Sequence, residues 1–326
     1  MFRQRPYRRR VPSAPRVVFD PPRGYAGWAF AMSRVVRLGP WRLGFGAACA
    51  LLATGVALRA PERVDATTPA SINWQMLEPG LEFGSVASPI PSDTGDSQIR
   101  ILRIDPTRFE LQLLNSSALD GAPLTAKQWS QRYGLLAAIN ASLYQADQRT
   151  SIALMKSRTH TNNPHLSQHN AVLLFDRLDD HVPAVQIVDR TCRDLAAVQD
   201  RYAAMVQSIR MVSCSRANVW TQQTEKKWST AAIGIDQQGR LLFIHVRSPL
   251  STHDLIDGLL ALPLALREAM YVEGGPEAQL YVSAGGRELE FVGSHGSSFA
   301  GIENTSALPV PNVIGVRRLA DRVSGG

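Results

Sequence analysis

The alternation of apolar and polar residues over most of the chain predicts a sheet-rich domain with few helices. Apolar strands at 99–104 and 109–114 flank a turn at 105–107, which predicts a hairpin. A second hairpin is predicted from strands at 231–235 and 241–246. Strands this apolar are buried on at least one face. The pattern therefore predicts an α+β fold, a mixed, mostly antiparallel β-sheet core with helices packed on it.

Two helix-then-strand units each end at a polar residue. A helix predicted over 125–133 precedes an apolar strand that ends at Asn140, and a helix over 252–262 precedes a strand that ends at Glu273. Ligands collect beyond the carboxyl ends of strands in sheets of this kind. We therefore expect Asn140 and Glu273 to share a pocket.

The strongest local motif is Tyr271-Val272-Glu273-Gly274-Gly275-Pro276-Glu277. Gly274 and Gly275 let the backbone turn sharply or approach a ligand closely. Glu273 and Glu277 could supply the paired acid and base that glycosidic bond cleavage needs. An ordinary hairpin with an exposed acid on its turn explains the same residues equally well.

Residues 271–281 resemble the aspartate-glycine-glycine-glycine-serine signature of the phosphodiester glycosidase family. Residues 139–144 resemble its asparagine-alanine-glycine-phenylalanine-phenylalanine element, and residues 228–236 resemble its threonine-alanine-isoleucine-glycine hairpin. The correspondence runs in order from about Trp74 to Val316. The resemblance implies an exported hydrolase that cleaves a sugar phosphodiester or a related glycosidic linkage of an envelope glycan. Together with the paired-acid argument above, it gives these candidate catalytic residues: Glu273, Glu277 and Asn140.

Three departures from the family pattern touch the chemistry. Glu273 stands where the family has aspartate, Pro276-Glu277 replace glycine and serine, and Thr230 stands where many members carry arginine. Because a displacement of about 1 Å can spoil catalytic geometry, the activity does not follow automatically. A non-catalytic envelope glycan-binding module on the same fold is therefore a second hypothesis.

Other cations could replace the missing arginine, since a guanidinium binds two phosphate oxygens at once. The predicted substrate-binding residues are Arg210, Arg247, Lys156, Tyr144, Gly274 and Gly275. The partner is a carbohydrate or sugar phosphate, and no cofactor is predicted. No metal is predicted either: the spacing of His160, His165 and His169 only loosely matches metal ligands, and their loop-like segment could equally be a polar lid over the pocket.

The N-terminal region has the layout of an export signal. Residues 1–59 carry eleven arginines and one acid, Asp20, a balance of +10 in a chain whose net charge is +7, so the remainder is about −3. This distribution argues against nucleic acid as a partner. We expect a basic segment at 1–42, a signal or anchor helix at 43–59, a linker at 60–71 and the phosphodiester glycosidase-like domain at 72–326.

Export would place the domain in the periplasm or outside the cell. The apolar run suits either a cleaved signal or an anchor in the cytoplasmic (inner) membrane, and translation could start at Met1 or Met32. Cys49 lies in the leader, which leaves Cys192 and Cys214 as a pair. They form one disulfide in an oxidising compartment or remain two buried thiols.

Overall fold

Two β-sheets packed face to face make up the part of the chain that the computed structural model describes, residues 71–119, 121–223, 225–294 and 306–319. The predicted basic segment, the signal or anchor helix and the linker up to residue 70 lie outside these residues. No helix within the described ranges is long and apolar enough to cross a membrane.

Sixteen strands are present in the described residues. In chain order they are β1 (Asn73–Glu78), β2 (Leu81–Ala87), β3 (Gln98–Ile104), β4 (Phe109–Asn115), β5 (Ala137–Asn140), β6 (Met155–Lys156), β7 (Thr161–Asn163), β8 (Ala171–Arg177), β9 (Gln186–Asp189), β10 (Tyr202–Val212), β11 (Trp228–Asp236), β12 (Leu241–Leu250), β13 (Leu266–Gly274), β14 (Gln279–Ala284), β15 (Arg287–Val292) and β16 (Asn312–Arg318).

The larger sheet has eleven strands and the smaller has five. The larger follows the order β1-β2-β3-β12-β11-β13-β10-β6-β7, with β8 paired to β10 and β9 paired to β8. The smaller follows the order β15-β14-β5-β16-β4. Every strand pair among the described residues is antiparallel. The prediction of a mostly antiparallel core is therefore confirmed. The predicted mixed sheet is wrong for these residues, because none of their strand pairs is parallel.

The main core lies between the two sheets. Leu102, Phe243 and Met270 of the larger sheet are fully buried there, together with Ile139 and Leu280 of the smaller sheet. Burial of this apolar area is the main stabilising contribution to such a sandwich. The core also fixes how the ends of β5 and β13 approach each other.

In the described part of the chain, two α-helices cover the outer faces of the sheets, as the sequence predicts. α1 (Ala126–Tyr133) begins at a capping box formed by Thr125 and Gln128, and its Trp129 packs on the outer face of the smaller sheet. α2 (Thr252–Ala261) begins at Ser251, whose hydroxyl accepts a hydrogen bond from the backbone N–H of Asp254, and covers the outer face of the larger sheet.

One predicted hairpin is correct and the other is wrong. β11 and β12 pair as expected, but β3 and β4 belong to different sheets. The Asp105 carbonyl accepts hydrogen bonds from the N–H groups of Arg108 and Phe109, and this tight turn redirects the chain towards the smaller sheet. Because β3 already pairs with β2 along one edge and with β12 along the other, neither of its edges is left for β4.

A disulfide joins Cys192 and Cys214, which are 22 residues apart. It ties the segment after β9 to the end of β10. The disulfide alternative of the sequence analysis is therefore confirmed, and the free-thiol alternative is wrong.

Candidate functional site

Glu273 lies at the end of β13, next to an irregularity in the sheet. Ala231 pairs with Glu273 while the next residue, Ala232, pairs with Tyr271, so Val272 is an extra residue that forms a β-bulge. Cross-strand partners point to the same face of a sheet. Glu273 therefore faces the inter-sheet side together with Ala231.

Glu273 is only 6% exposed, and one hydrogen bond to its carboxylate is present, from the backbone N–H of Gly274 at 3.0 Å. Burial raises the pKa of Glu273 to about 8; the Gly274 hydrogen bond opposes this rise and the negative charge of Glu277 adds to it. A carboxyl group with this pKa is largely protonated at pH 7. It can donate a proton where an ordinary glutamate cannot.

Asn140 holds the turn that carries Glu277. The turn is a 3-10 segment, Gly275–Glu277, and Asn140 is 1% exposed at the end of β5 beneath it. The Asn140 amide donates to the carbonyl oxygen of Glu277 at 2.9 Å and accepts from the N–H of Gln279 at 2.8 Å. Both bonds of Asn140 are therefore to backbone, and its role in the site is positional.

The turn allows very close packing around its glycines. A β-carbon on Gly274 would lie 1.8 Å from the Tyr271 hydroxyl oxygen and 2.9 Å from Cδ1 of Trp228. Gly275 has φ +64, in the left-handed region. Burial and the charge of Glu273 raise the pKa of Tyr271, so its hydroxyl stays protonated beside the carboxyl groups.

Arg210 is engaged by an acid rather than directed to the Glu273 carboxyl. Its Nη1 lies 2.8 Å from both carboxylate oxygens of Asp189, which is 1% exposed. Burial alone would raise the pKa of Asp189, but hydrogen bonds from Arg210 and Thr191 hold this pKa below its usual value. The cross-strand partner of Arg210 is Met270, three positions before Glu273.

Arg247 lines a separate cavity. This cavity of about 300 Å³ is bounded by Arg100, Arg247, Glu290, Phe291 and Val292. Neither Glu273 nor Glu277 lines it. The structure therefore brings Asn140, Glu277 and Glu273 together but gives Arg247 different neighbours.

The remaining predicted residues lie on other strands and loops. Lys156 pairs with Met205 of β10, whereas Tyr271, near Glu273, pairs with Ile209 of the same strand. These two positions of β10 are four residues apart, so Lys156 does not lie next to Glu273. Tyr144 forms a β-bridge with Ser151 in the loop after β5. That loop reaches back to β10 through the Ser142 hydroxyl, which donates to the carbonyl of Gln207 at 3.1 Å.

Two residues in the same row of the larger sheet as Glu273 have no role in the sequence analysis. His245 lies across Ala231 from Glu273, is fully buried, and burial lowers its pKa to about 3, so it is neutral. Arg100 pairs with His245 in the same row of the sheet. In each strand the polar residue lies between apolar neighbours, so the sequence predicts that it points to the face opposite theirs. The sequence does not indicate which face of the sheet that is.

A larger cavity of about 560 Å³ lies at the other end of the sheets. Phe109, Phe175, Val185 and Arg267 contribute to its lining. Arg267 is at the start of β13 and Glu273 at its end, so this cavity is remote from the paired acids. Size alone does not identify the site.

Comparison with known proteins gives a family and a fold. The family model described as phosphodiester glycosidase matches residues 133–317. The catalytic domain of zebrafish N-acetylglucosamine-1-phosphodiester alpha-N-acetylglucosaminidase, auto-inhibited by its pro-peptide, is similar in structure, with a TM-score of 0.55 and 13% identity over 77% of this chain and 89% of that one.

A hypothetical protein from Synechocystis has a TM-score of 0.47 and 13% identity over 77% of this chain and 64% of that one. No curated protein matches the chain. At 13% identity the zebrafish structure bears on the fold alone.

Proposed function

The chain belongs to the phosphodiester glycosidase family, and from that premise we propose that it is a hydrolase that cleaves a sugar phosphodiester or a related glycosidic linkage of an envelope glycan. The observation that carries the proposal is the buried Glu273 carboxyl beside Glu277. The zebrafish enzyme that shares the fold is named for N-acetylglucosamine-1-phosphodiester, which motivates a sugar-1-phosphodiester as first substrate.

Glu273 acts as the general acid. Its pKa of about 8 keeps the proton on the carboxyl at neutral pH, and the proton passes to the oxygen that links the sugar to its leaving group. Protonation makes that oxygen a better leaving group as the anomeric bond lengthens. Afterwards the ionised Glu273 recovers a proton from water.

Glu277 supplies the second carboxylate. It stabilises positive charge that develops at the anomeric carbon, either directly or by orienting the attacking water. Asn140 positions it by binding the Glu277 carbonyl oxygen and the Gln279 N–H. Pre-organisation by a buried amide suits this role, because a loosely held carboxylate loses catalytic efficiency.

Export of the domain is part of the proposal. The arginine-rich N-terminal region and the apolar run that follows it support this location. The Cys192–Cys214 disulfide is consistent with an oxidising compartment. Periplasmic or extracellular placement would bring the site to envelope glycans.

The test is release of sugar from a panel of sugar-1-phosphodiesters and envelope glycan fragments, with Glu273→Gln beside the unaltered chain. We expect turnover that this substitution lowers by a factor of about 100 to 10,000. Glu110→Gln is the matched control, because Glu110 is exposed on β4. Equal turnover by Glu273→Gln and the unaltered chain would refute Glu273 as the acid.

A binding module is the competing function, favoured by one observation. Thr230 replaces an arginine common in the family, and its Oγ1 is buried without a hydrogen-bond partner. Saturable glycan binding without turnover on any panel member would favour this alternative.

A further inference from the structure

Two arginines on neighbouring strands open into the 300 Å³ cavity described above. Arg100 is on β3, and its cross-strand partner on β12 is His245. Arg247 follows His245 by two residues on the same strand, so it is a diagonal neighbour of Arg100. Such diagonal positions are roughly 7 to 8 Å apart. The two guanidinium groups can therefore approach one ligand from two sides.

Both side chains are held in place. The guanidinium carbon of Arg100 lies 5.0 Å from the ring centroid of Phe291, and its Nη1 donates to the carbonyl oxygen of Gln98 at 3.3 Å. Arg247 donates from Nη1 to the carbonyl oxygen of Val292 at 2.7 Å. Because these contacts restrict the side chains, less conformational entropy remains to be lost when a ligand binds.

The local charge favours an anion. Asp96 forms an ion pair with Arg100, and the cavity-lining Glu290 lies 3.6 Å from Nζ of Lys127. Lys127 lies nearer to Glu288, at 2.6 Å, but the described lining of the cavity itself has two arginines and one acid and is therefore net positive. Burial lowers the pKa of Arg247; the charge of Asp96 opposes this fall and the positive charge of Arg100 adds to it, so a further negative charge placed here would be stabilised.

We propose that this cavity binds an oxyanion group of the ligand, a phosphate, sulfate or carboxylate substituent remote from the bond that is cleaved. Strands in a sheet are about 4.8 Å apart, so β12 and β3 lie about 10 and 14 Å from β13 and its Glu273. The group beside the oxygen protonated by Glu273 cannot reach both arginines from that distance. The cavity therefore selects a glycan that carries a second acidic group.

Anion binding at the cavity is independent of the proposed hydrolysis, whereas its role in selecting an acidic glycan rests on that proposed function. The first test is calorimetric titration of the full chain with inorganic phosphate and, separately, glucuronate at constant ionic strength. We expect Arg100→Gln and Arg247→Gln each to weaken binding of at least one of them by about tenfold or more.

Two further variants make the test specific. Glu290→Gln removes a negative charge from the cavity lining and should strengthen anion binding. Arg103→Gln is the matched control: Arg103 is also on β3, but it stacks on Trp74 and pairs with Glu82. The Arg103→Gln variant should bind both anions as tightly as the unaltered chain does. Thermal unfolding of each variant separates loss of the site from loss of the fold.

Each result is decisive. Binding of neither anion, or equal weakening by Arg103→Gln and Arg100→Gln, would overturn the proposal. Stronger binding of phosphate than of glucuronate would assign the cavity to a phosphorylated glycan, and the reverse to a uronic acid. Retained anion binding in Glu273→Gln, together with no turnover by the unaltered chain, would support the cavity while refuting the proposed hydrolysis.

Discussion

The Asn140 side chain is bound to both ends of the turn around Glu277: its Nδ2 donates to the Glu277 carbonyl oxygen at 2.9 Å, and its Oδ1 accepts from the Gln279 N–H at 2.8 Å. One amide from the smaller sheet thus fixes the backbone of the turn that carries Glu277, next to Glu273 of the larger sheet. The correct relative position of the two sheets is therefore a condition for the paired acids.

Replacing Asn140 by alanine should destabilise the protein. It leaves the buried Gln279 N–H unpaired, at about 1–3 kcal/mol, and removes one of the two hydrogen bonds to the Glu277 carbonyl, the other being from Nε2 of Gln279 at 3.3 Å. We expect a loss of roughly 2–4 kcal/mol in the free energy of unfolding by urea titration, together with lower turnover. Asn73→Ala, at an exposed position of β1, should change stability by less than about 0.5 kcal/mol. Equal stability of the two variants would contradict a stabilising role for the two Asn140 hydrogen bonds.

Glu273→Gln should stabilise the protein in a pH-dependent way. The folded-state pKa of Glu273 is about 8, above the 4.5 of the unfolded chain, so its stabilising contribution is fully present below pH 4.5 and is lost as pH rises to about 8. Glutamine does not ionise. The variant should therefore gain on the order of 5 kcal/mol relative to the unaltered chain between these pH values. A difference in Tm that is constant from pH 4.5 to 8 would contradict a protonated Glu273.

The proposed hydrolysis should weaken in alkaline solution. Because the general acid must carry its proton, kcat/KM should fall about tenfold per pH unit as pH rises beyond about 8. The measurement is the pH profile of sugar release at subsaturating substrate. Activity that continues to rise above pH 9 would exclude Glu273 as the proton donor.

Gly274→Ala should be strongly destabilising. The new β-carbon would lie 1.8 Å from the Tyr271 hydroxyl oxygen, and overpacking of this kind costs about 1–3 kcal/mol or more. Adding Tyr271→Phe should recover part of the loss, because it removes the nearest atom. The comparison is Gly121→Ala, where the closest atom is 3.7 Å away. No recovery in the double variant would place the strain elsewhere.

Thr230→Val should be neutral or stabilising by up to about 1 kcal/mol. The Thr230 hydroxyl oxygen is buried without a hydrogen-bond partner, and valine has the same shape without that oxygen. Thr107→Val is the contrast, since the Thr107 hydroxyl donates to Asp105 at 2.7 Å. Chemical denaturation of both variants gives the comparison, and a destabilised Thr230→Val would reveal an unrecognised partner.

Sequence patterns locate much of the fold and part of the site. The caps at Thr125 and Ser251 are local, so they are predictable, and so is the hairpin of β11 and β12. Apolar alternation indicates that a strand is buried but does not identify its partners. The pattern and the turn at 105–107 therefore predict a pairing of β3 with β4 that the structure does not contain. Arg210 illustrates the same difficulty: only the folded structure brings Asp189 to its guanidinium.

The bulge at Val272 decides which face of the sheet Glu273 occupies. Side chains alternate along a strand, so in regular pairing Val272 would lie opposite Ala231, and Glu273 would lie opposite Thr230 on the helix-covered side of the sheet. Because Val272 is left out of the pairing, Glu273 lies opposite Ala231 and faces the other sheet. A relative with the same motif but regular pairing at this point would therefore hold its acid on the wrong face for the proposed chemistry.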